Sequence, residues 1–170
     1  ENVLSSLFDA RRRLLKDGGK MIPESGGVQI ALLGEIDFIK KFLFIDDICG
    51  FDFSDFNSVI NRKHGIVPRI GDIKIISDSF EPFHFNFYSE EVSLKKSIDL
   101  DIEVNETSRC YGVVTWIKMN LTKKIVYENN PIKMESHWST PVYLFKEPVD
   151  LKKGQKMTIT CSIKNDRTWY

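Results

Sequence analysis

The sequence carries no excess charge of either sign: 24 lysines and arginines are matched by 24 aspartates and glutamates. Composition alone therefore offers no polybasic face, and nucleic acid is not an expected partner, although a local basic patch is still allowed. Only three cysteines occur, Cys49, Cys110 and Cys161, far apart. They form no Cys-x-x-Cys pair and no zinc-like spacing with His64, His84 or His137. An odd, scattered set in a chain lacking a signal-like leader reads as free, buried thiols in a reducing compartment, with no metal site. No apolar run is long enough to span a bilayer, so the expectation is an intracellular chain, cytoplasmic or nuclear, with no membrane partner. Dinucleotide, phosphate-cradling and nucleophile-elbow glycine motifs are all missing. There is no internal repeat and no low-complexity segment. The triplets Asn105-Glu106-Thr107 and Asn120-Leu121-Thr122 match the glycosylation pattern, but chance produces such triplets often.

What is present reads as one domain of 170 residues, rich in phenylalanine with 12 copies. Residues 2–16 predict the one long helix. Val3, Leu4, Leu7, Phe8, Leu14 and Leu15 share a stripe at helical spacing, and Arg11-Arg12-Arg13 lie toward the end where cations suit the dipole. Asp17-Gly18-Gly19 stops it, and Pro23 biases Ile22 away from helical geometry. Val28 to Leu33 suits a strand. Glu35 to Phe44 suits a short helix that is apolar nearly all round, which needs cover from a core or a partner. Gly50 to Ser54 breaks it, and Asp55 to Asn61 predicts a second short helix capped by Ser54.

From residue 70 the pattern is β. Strands are predicted at Ile73–Ile76, Phe83–Phe87, Ile98–Val104, Tyr111–Leu121, Pro141–Phe145 and Met157–Ile163, with turns at Asn129-Asn130-Pro131 and Lys152-Lys153-Gly154-Gln155. The strict alternation of Ile98 to Val104 marks a half-buried antiparallel strand. Short strands in succession without intervening helices argue for an all-β barrel or sandwich.

Little of this carries catalysis. His84 lies among phenylalanines on the opposite face of a strand and reads as a surface residue; His64, beside Lys63 and Gly65, reads as solvated loop. Asp46-Asp47 and Glu90-Glu91 are adjacent in sequence, so on regular structure they point apart and are better explained by solvation. The most informative cluster is His137-Trp138 within Glu135-Ser136-His137-Trp138-Ser139-Thr140-Pro141, at the mouth of a strand. Alone, such a pair is more often a strand-entry loop than a site.

Taken in order, several blocks resemble the protein arginine methyltransferases. Glu1-Asn2-Val3-Leu4-Ser5-Ser6-Leu7-Phe8-Asp9-Ala10-Arg11, with Gly18-Gly19 and Ile22-Pro23, resembles the family's glutamate-headed helix running into a Gly-Gly-x-x-x-Pro junction. Cys49-Gly50-Phe51-Asp52-Phe53-Ser54 resembles a stretch of its dimerisation arm, and Ser136-His137-Trp138 its Thr-His-Trp loop. Lys152-Lys153-Gly154 and Lys164-Asn165-Asp166-Arg167 also suit the end of its barrel.

The resemblance implies a mainly β fold: an antiparallel β-barrel with an N-terminal linking helix and a short helical dimerisation-arm insertion. Residues 1–20 would link from a missing Rossmann-like methyltransferase domain. Residues 21–170 would form the barrel, with the arm-like insertion at about 35–62. The missing domain would bind S-adenosylmethionine, so no cofactor is expected on this chain and no residue in it is assigned to cofactor binding. The implied partners are an arginine-containing protein substrate and a second copy in the intact protein. Glu1 would hold the substrate guanidinium and act in catalysis, His137 would be catalytic, and Trp138 would wall the substrate pocket. Phe42, Phe44, Phe51 and Phe53 would serve dimerisation. Ser136 replaces the family's threonine, Val3 stands where asymmetrically dimethylating members often have methionine, and the 35–70 segment is short, so product type and dimer geometry stay open.

Two other readings remain. One is a non-catalytic β-barrel interaction module docking through the apolar segment at 36–56. The other, a jelly-roll ligand binder using Trp116 and Trp169 as surface aromatics, is weaker because strand aromatics are more often core.

Overall fold

The structure is a computed structural model, and it describes residues 3–35, 37, 39, 45, 47–67, 73–89, 95–133, 138–164 and 167–169. Helix α1 (Val3–Leu14) is followed by β1 (Ser25–Leu33), β2 (Asp47–Ile48), β3 (Phe51–Asp52), a 3-10 helix (Ser54–Ser58) and β4 (Lys63–Ile66). Then come β5 (Phe80–Asn86), β6 (Lys95–Glu103), β7 (Ser108–Thr122), β8 (Ile125–Glu128), β9 (Thr140–Leu151), β10 (Lys156–Lys164) and β11 (Arg167–Trp169). The chain is mainly β and every ladder is antiparallel. A six-stranded sheet has the order β4-β9-β7-β1-β5 with β8 also on β7; a three-stranded sheet has the order β11-β10-β6; and β2 and β3 pair as a hairpin. Among the described residues these sheets are open, and no ladder closes them into a barrel.

Strand β1 explains the layering. Its run from Ile30 to Leu33 is buried on both faces, so consecutive residues enter different cores. Ile30 and Leu32 join Phe83, Phe85, Ile102, Val113, Ile159 and Cys161 between the two large sheets. Ala31 and Leu33 join Ile39, Ile66, Val114, Trp116, Val142 and Leu144 on the opposite face. Burying each valine, leucine, isoleucine or phenylalanine side chain among these stabilises the fold by about 1.5–3 kcal/mol. At one corner β7 and β9 lose register, the partner passing from Cys110↔Val149 to Gly112↔Leu144. A Cβ at Gly112 would sit 2.0 Å from the Tyr143 carbonyl oxygen, so glycine is required by the close approach.

Several expectations are met. Gly18 takes φ +70° beyond the end of α1, and Gly154 takes φ +84° in the turn between β9 and β10. Leu4 and Leu7 pack on the inter-sheet core, whereas Leu14 is exposed. The Arg11 guanidinium donates to the Tyr88 carbonyl, tying α1 to the end of β5. His84 is exposed opposite buried Phe83 and Phe85, as alternation requires.

Others need correction. Ile73–Ile76 is not a strand: Ile75 makes an isolated bridge with Leu33 and Ser77 one with Val104, so this stretch crosses from one sheet to the other. The second short helix is a 3-10 helix of five residues, and Ser54 is inside it rather than its cap. The Asp52 carboxylate accepts from the Ser54 amide at 2.8 Å instead, which also holds that carboxyl below the usual range. His64 lies in β4 opposite Val142, not in a loop, because β9 runs to Leu151 and its first half needs a partner. Cys49 is exposed at a hairpin turn, whereas Cys110 and Cys161 are buried as expected. Trp116 is 2% exposed and is no surface platform. Its Nε1 donates to Glu128 at 2.7 Å, which satisfies the indole inside the core. Strands β2, β3, β4, β8 and β11 lie outside the predicted strands. Of the helix predicted at 35–44, Asp37 and Ile39 are helical; residues 36, 38 and 40–44 lie outside the described residues.

Candidate functional site

One cavity of about 390 Å3 opens where α1 crosses the sheet. Val3 and Leu4 line it from the helix, Gly26 and Val28 from β1, Phe85 and Phe87 from β5 and its turn, Ile117 and Met119 from β7, and Trp138 from the approach to β9. The space depends on glycine. A Cβ at Gly26 would stand 3.1 Å from Met119 Cγ and 3.4 Å from Phe87 Cζ, pointing into it. The Gly26-Gly27 pair at a strand start is the one sequence signal for this close approach, and it has no place among the predicted site residues.

Trp138 is held but not covered. Its ring meets Tyr127 edge-on at 6.2 Å, and Tyr127 stands opposite Met119 in the β7–β8 ladder. The residue is 57% exposed. The chain leaves β8 through Asn129, whose side-chain oxygen accepts from the Ile117 amide at 2.8 Å and whose amide donates back to the Ile117 carbonyl at 3.2 Å. That exchange pins the loop beside the cavity wall. Asn129 and Asn130 are buried for this reason, as hydrogen-bonded turn residues are.

Of the predicted site residues, Trp138 lines the cavity. Glu1 and His137 lie outside the described residues, as do Phe42 and Phe44. Val3 and Trp138, close neighbours in sequence of Glu1 and His137, are lining residues of the same space. Phe51 is 68% exposed on the β2–β3 hairpin, and Phe53 is half-buried with its ring 5.8 Å from that of Phe56.

The described lining contains no carboxylate, imidazole, hydroxyl or amine. Such a surface can pack a side chain or an indole against a ligand, but it cannot move a proton. Elsewhere, His64 Nε2 is shut from solvent with no hydrogen-bond partner among the described residues, and His64 is not among the residues lining this cavity. No group of three or more metal-ligating side chains occurs among the described residues. No described helix is long and apolar enough to cross a membrane.

Residues 24–170 match the family model of the arginine methyltransferase oligomerization subdomain. The chain belongs to this family. Among curated relatives of this arginine methyltransferase subdomain, a probable protein arginine N-methyltransferase 3 from Arabidopsis thaliana is 27% identical over 165 residues. That match covers 89% of this chain and 27% of the relative. Protein arginine N-methyltransferase 1 of Schizosaccharomyces pombe is 24% identical, with 95% of this chain and 49% of the relative covered. The chain thus spans about a quarter to a half of the length of these relatives. Among solved structures, the Trypanosoma brucei PRMT1 enzyme-prozyme heterotetrameric complex with AdoHcy superposes with a TM-score of 0.75 at 16% identity. It covers 99% of this chain and 58% of that one, a likeness of fold.

Proposed function

We propose that this chain is the substrate-binding and dimerisation part of an S-adenosylmethionine-dependent protein arginine methyltransferase, and that it is inactive alone. Residues 1–20 then act as the link to a cofactor-binding domain, residues 21–170 as a barrel-type domain, and about 35–62 as its arm. The observation that carries this reading is the cavity itself: Val3 and Trp138 line one apolar space that has no acid or base of its own among the described residues. A pocket wall of that kind needs polar groups from the segments beside it, and Glu1 and His137 are the adjacent candidates.

A guanidinium is planar and stays charged at neutral pH, so a carboxylate at Glu1 is its natural bidentate partner. Fixing positive charge on two nitrogens leaves the third positioned for attack, and positioning supplies much of the rate. Trp138 walls the pocket by stacking on the cation, and His137, oriented by a carboxylate, takes up the released proton. S-adenosylmethionine supplies the electrophilic methyl group when bound to the intact protein. The described lining offers no carboxylate to balance a sulfonium or hold a ribose, so that site is assigned to the other domain.

Titration calorimetry tests the division of labour. The 170-residue chain is expected to give no saturable heat with S-adenosylmethionine, and tight binding would sink the proposal. The second reading, an interaction module without catalysis, draws on the exposed apolar groups of the hairpin region, Ile48, Phe51, Phe56 and Val59. It gains if the intact protein fails to methylate arginine-rich peptides and His137→Ala changes nothing.

A further inference from the structure

The face of the β1–β5 ladder opposite the apolar cavity carries a groove of about 710 Å3 with a different chemistry. His84 and Asn86 of β5 line it, whereas the alternate residues Phe85 and Phe87 line the cavity, so the two sites share the strand and no side chain. Three lysines meet at the groove: Lys20 from the link after α1, and Lys123 and Lys124 from the β7–β8 turn. All three are exposed, and no ion pair engages any of them among the described residues. Glu24 is the acidic residue among the lining. Some cations elsewhere are paired: Arg12 and Arg13 with Asp9, and Lys74 with Glu106 at 2.7 Å. Glu81 lies just behind, paired with the lining residue His84, so in a chain with no net charge three lysines here outnumber the nearby carboxylates.

The walls that present the lysines are fixed. Glu24 donates its amide to the Asn120 carbonyl at 2.8 Å and accepts from the Phe87 amide at 3.0 Å, stitching the link into the sheet. The Tyr88 hydroxyl accepts from the Met21 amide at 2.5 Å and donates to the Met21 carbonyl at 3.2 Å. At the turn, Thr122 Oγ1 accepts from the amides of both Lys124 and Ile125 at 3.2 Å. The side chain of Asn120 donates to Ser25 Oγ at 2.8 Å, closing the floor. A ligand here meets a frame already ordered, which lowers the entropy it must lose on binding. Met21 and exposed Ile22 add apolar surface to the same lining.

We propose that this groove docks an extended acidic segment of a partner protein, its carboxylates on Lys20, Lys123 and Lys124 and one apolar side chain on Met21 and Ile22. A segment is favoured over a small anion because the cations come from two parts of the chain, the link after α1 and the β7–β8 turn, and share a groove of about 710 Å3 with apolar Met21 and Ile22. The proposal stands apart from the arginine-pocket reading, since binding is measured without turnover.

Fluorescence anisotropy with a labelled peptide of glutamates flanking one leucine provides the test. Saturable binding that weakens with salt is expected, with a loss of about tenfold or more in Lys123→Glu/Lys124→Glu, and a loss also in Lys20→Glu in the link after α1. A charge reversal of the same size at the distant β9–β10 turn, Lys152→Glu/Lys153→Glu, should leave binding unchanged, and circular dichroism melts should show all variants folded. Absence of saturable binding, an equal loss from the distant reversal, or binding of a single-stranded oligonucleotide in place of the peptide would each overturn the proposal.

Discussion

Phe83, Phe85 and Phe87 in the sandwich and Phe51 and Phe56 in the hairpin region are one side chain in opposite surroundings. The first three are shut into a core shared by two sheets. The last two stand in solvent, beside exposed Ile48 and Val59. A region that exposes this much apolar surface is nevertheless ordered. Asn57 exchanges two hydrogen bonds with the backbone of Ile45, at 2.9 and 2.5 Å, closing the ends of the hairpin region. Arg62 then donates to the carbonyls of Asn57 at 3.3 Å and Phe145 at 2.6 Å, clipping it to β9. The sandwich is held by burial and the hairpin region by polar clips. The difference teaches that the hairpin region does not depend on burying its phenylalanines, so its apolar surface stays exposed while polar contacts fix its ends.

The largest way to break this comparison is in the core. Trp116→Ala should cost about 3–5 kcal/mol, because it leaves a cavity and deprives Glu128 of its indole donor. Urea unfolding followed by circular dichroism measures it, and a loss below about 1 kcal/mol would mean that this core is not where stability resides.

A smaller effect is expected from Asn57→Ala, about 1–2 kcal/mol and local, since two net hydrogen bonds are removed. Hydrogen exchange should speed up across residues 45–57 while β1 and β7 keep their protection. Equal acceleration in β7 would merge the two regions into one cooperative unit.

Thiol labelling sharpens the contrast without disturbing the fold. Burial pushes the Cys110 and Cys161 thiols up to about 11, so at neutral pH almost no thiolate forms, while Cys49 is exposed in the hairpin turn. One thiol should react in the folded chain and the other two only on unfolding. Rapid labelling of Cys110 or Cys161 under native conditions would show that the sandwich opens as readily as the hairpin.

Much of the sandwich was legible because its strands obey simple periods. Ile102 and Val104 are buried and Asp101 and Glu103 exposed, as alternation demands, and the Gly18 and Gly154 turns fall where glycine was expected. What escaped was set by tertiary pairing. Lys63 to Ile66 has no strand pattern and becomes β4 only because β9 offers an edge, and Ile75 and Ser77 are pulled apart onto different sheets. At the candidate site, the sequence context singles out Trp138, which lines the cavity; its role there is part of the proposed function. The apolar cavity was not, because Gly26, Met119 and Phe87 come from three segments distant in sequence and meet only when the ladder forms. The basic groove was hidden for the same reason: Lys20 and Lys123 lie about a hundred residues apart.

The central proposal is that the hairpin region serves association while the sandwich carries stability. Sedimentation velocity on the intact protein, meaning this chain together with the cofactor-binding domain proposed for it, tests that most directly when wild type is compared with Phe51→Ser. The expected result is a shift from dimer toward monomer, with a melting midpoint unchanged within the about 0.5 kcal/mol typical of surface substitutions. An unchanged dimer, or a loss of stability as large as that of Trp116→Ala, would contradict it.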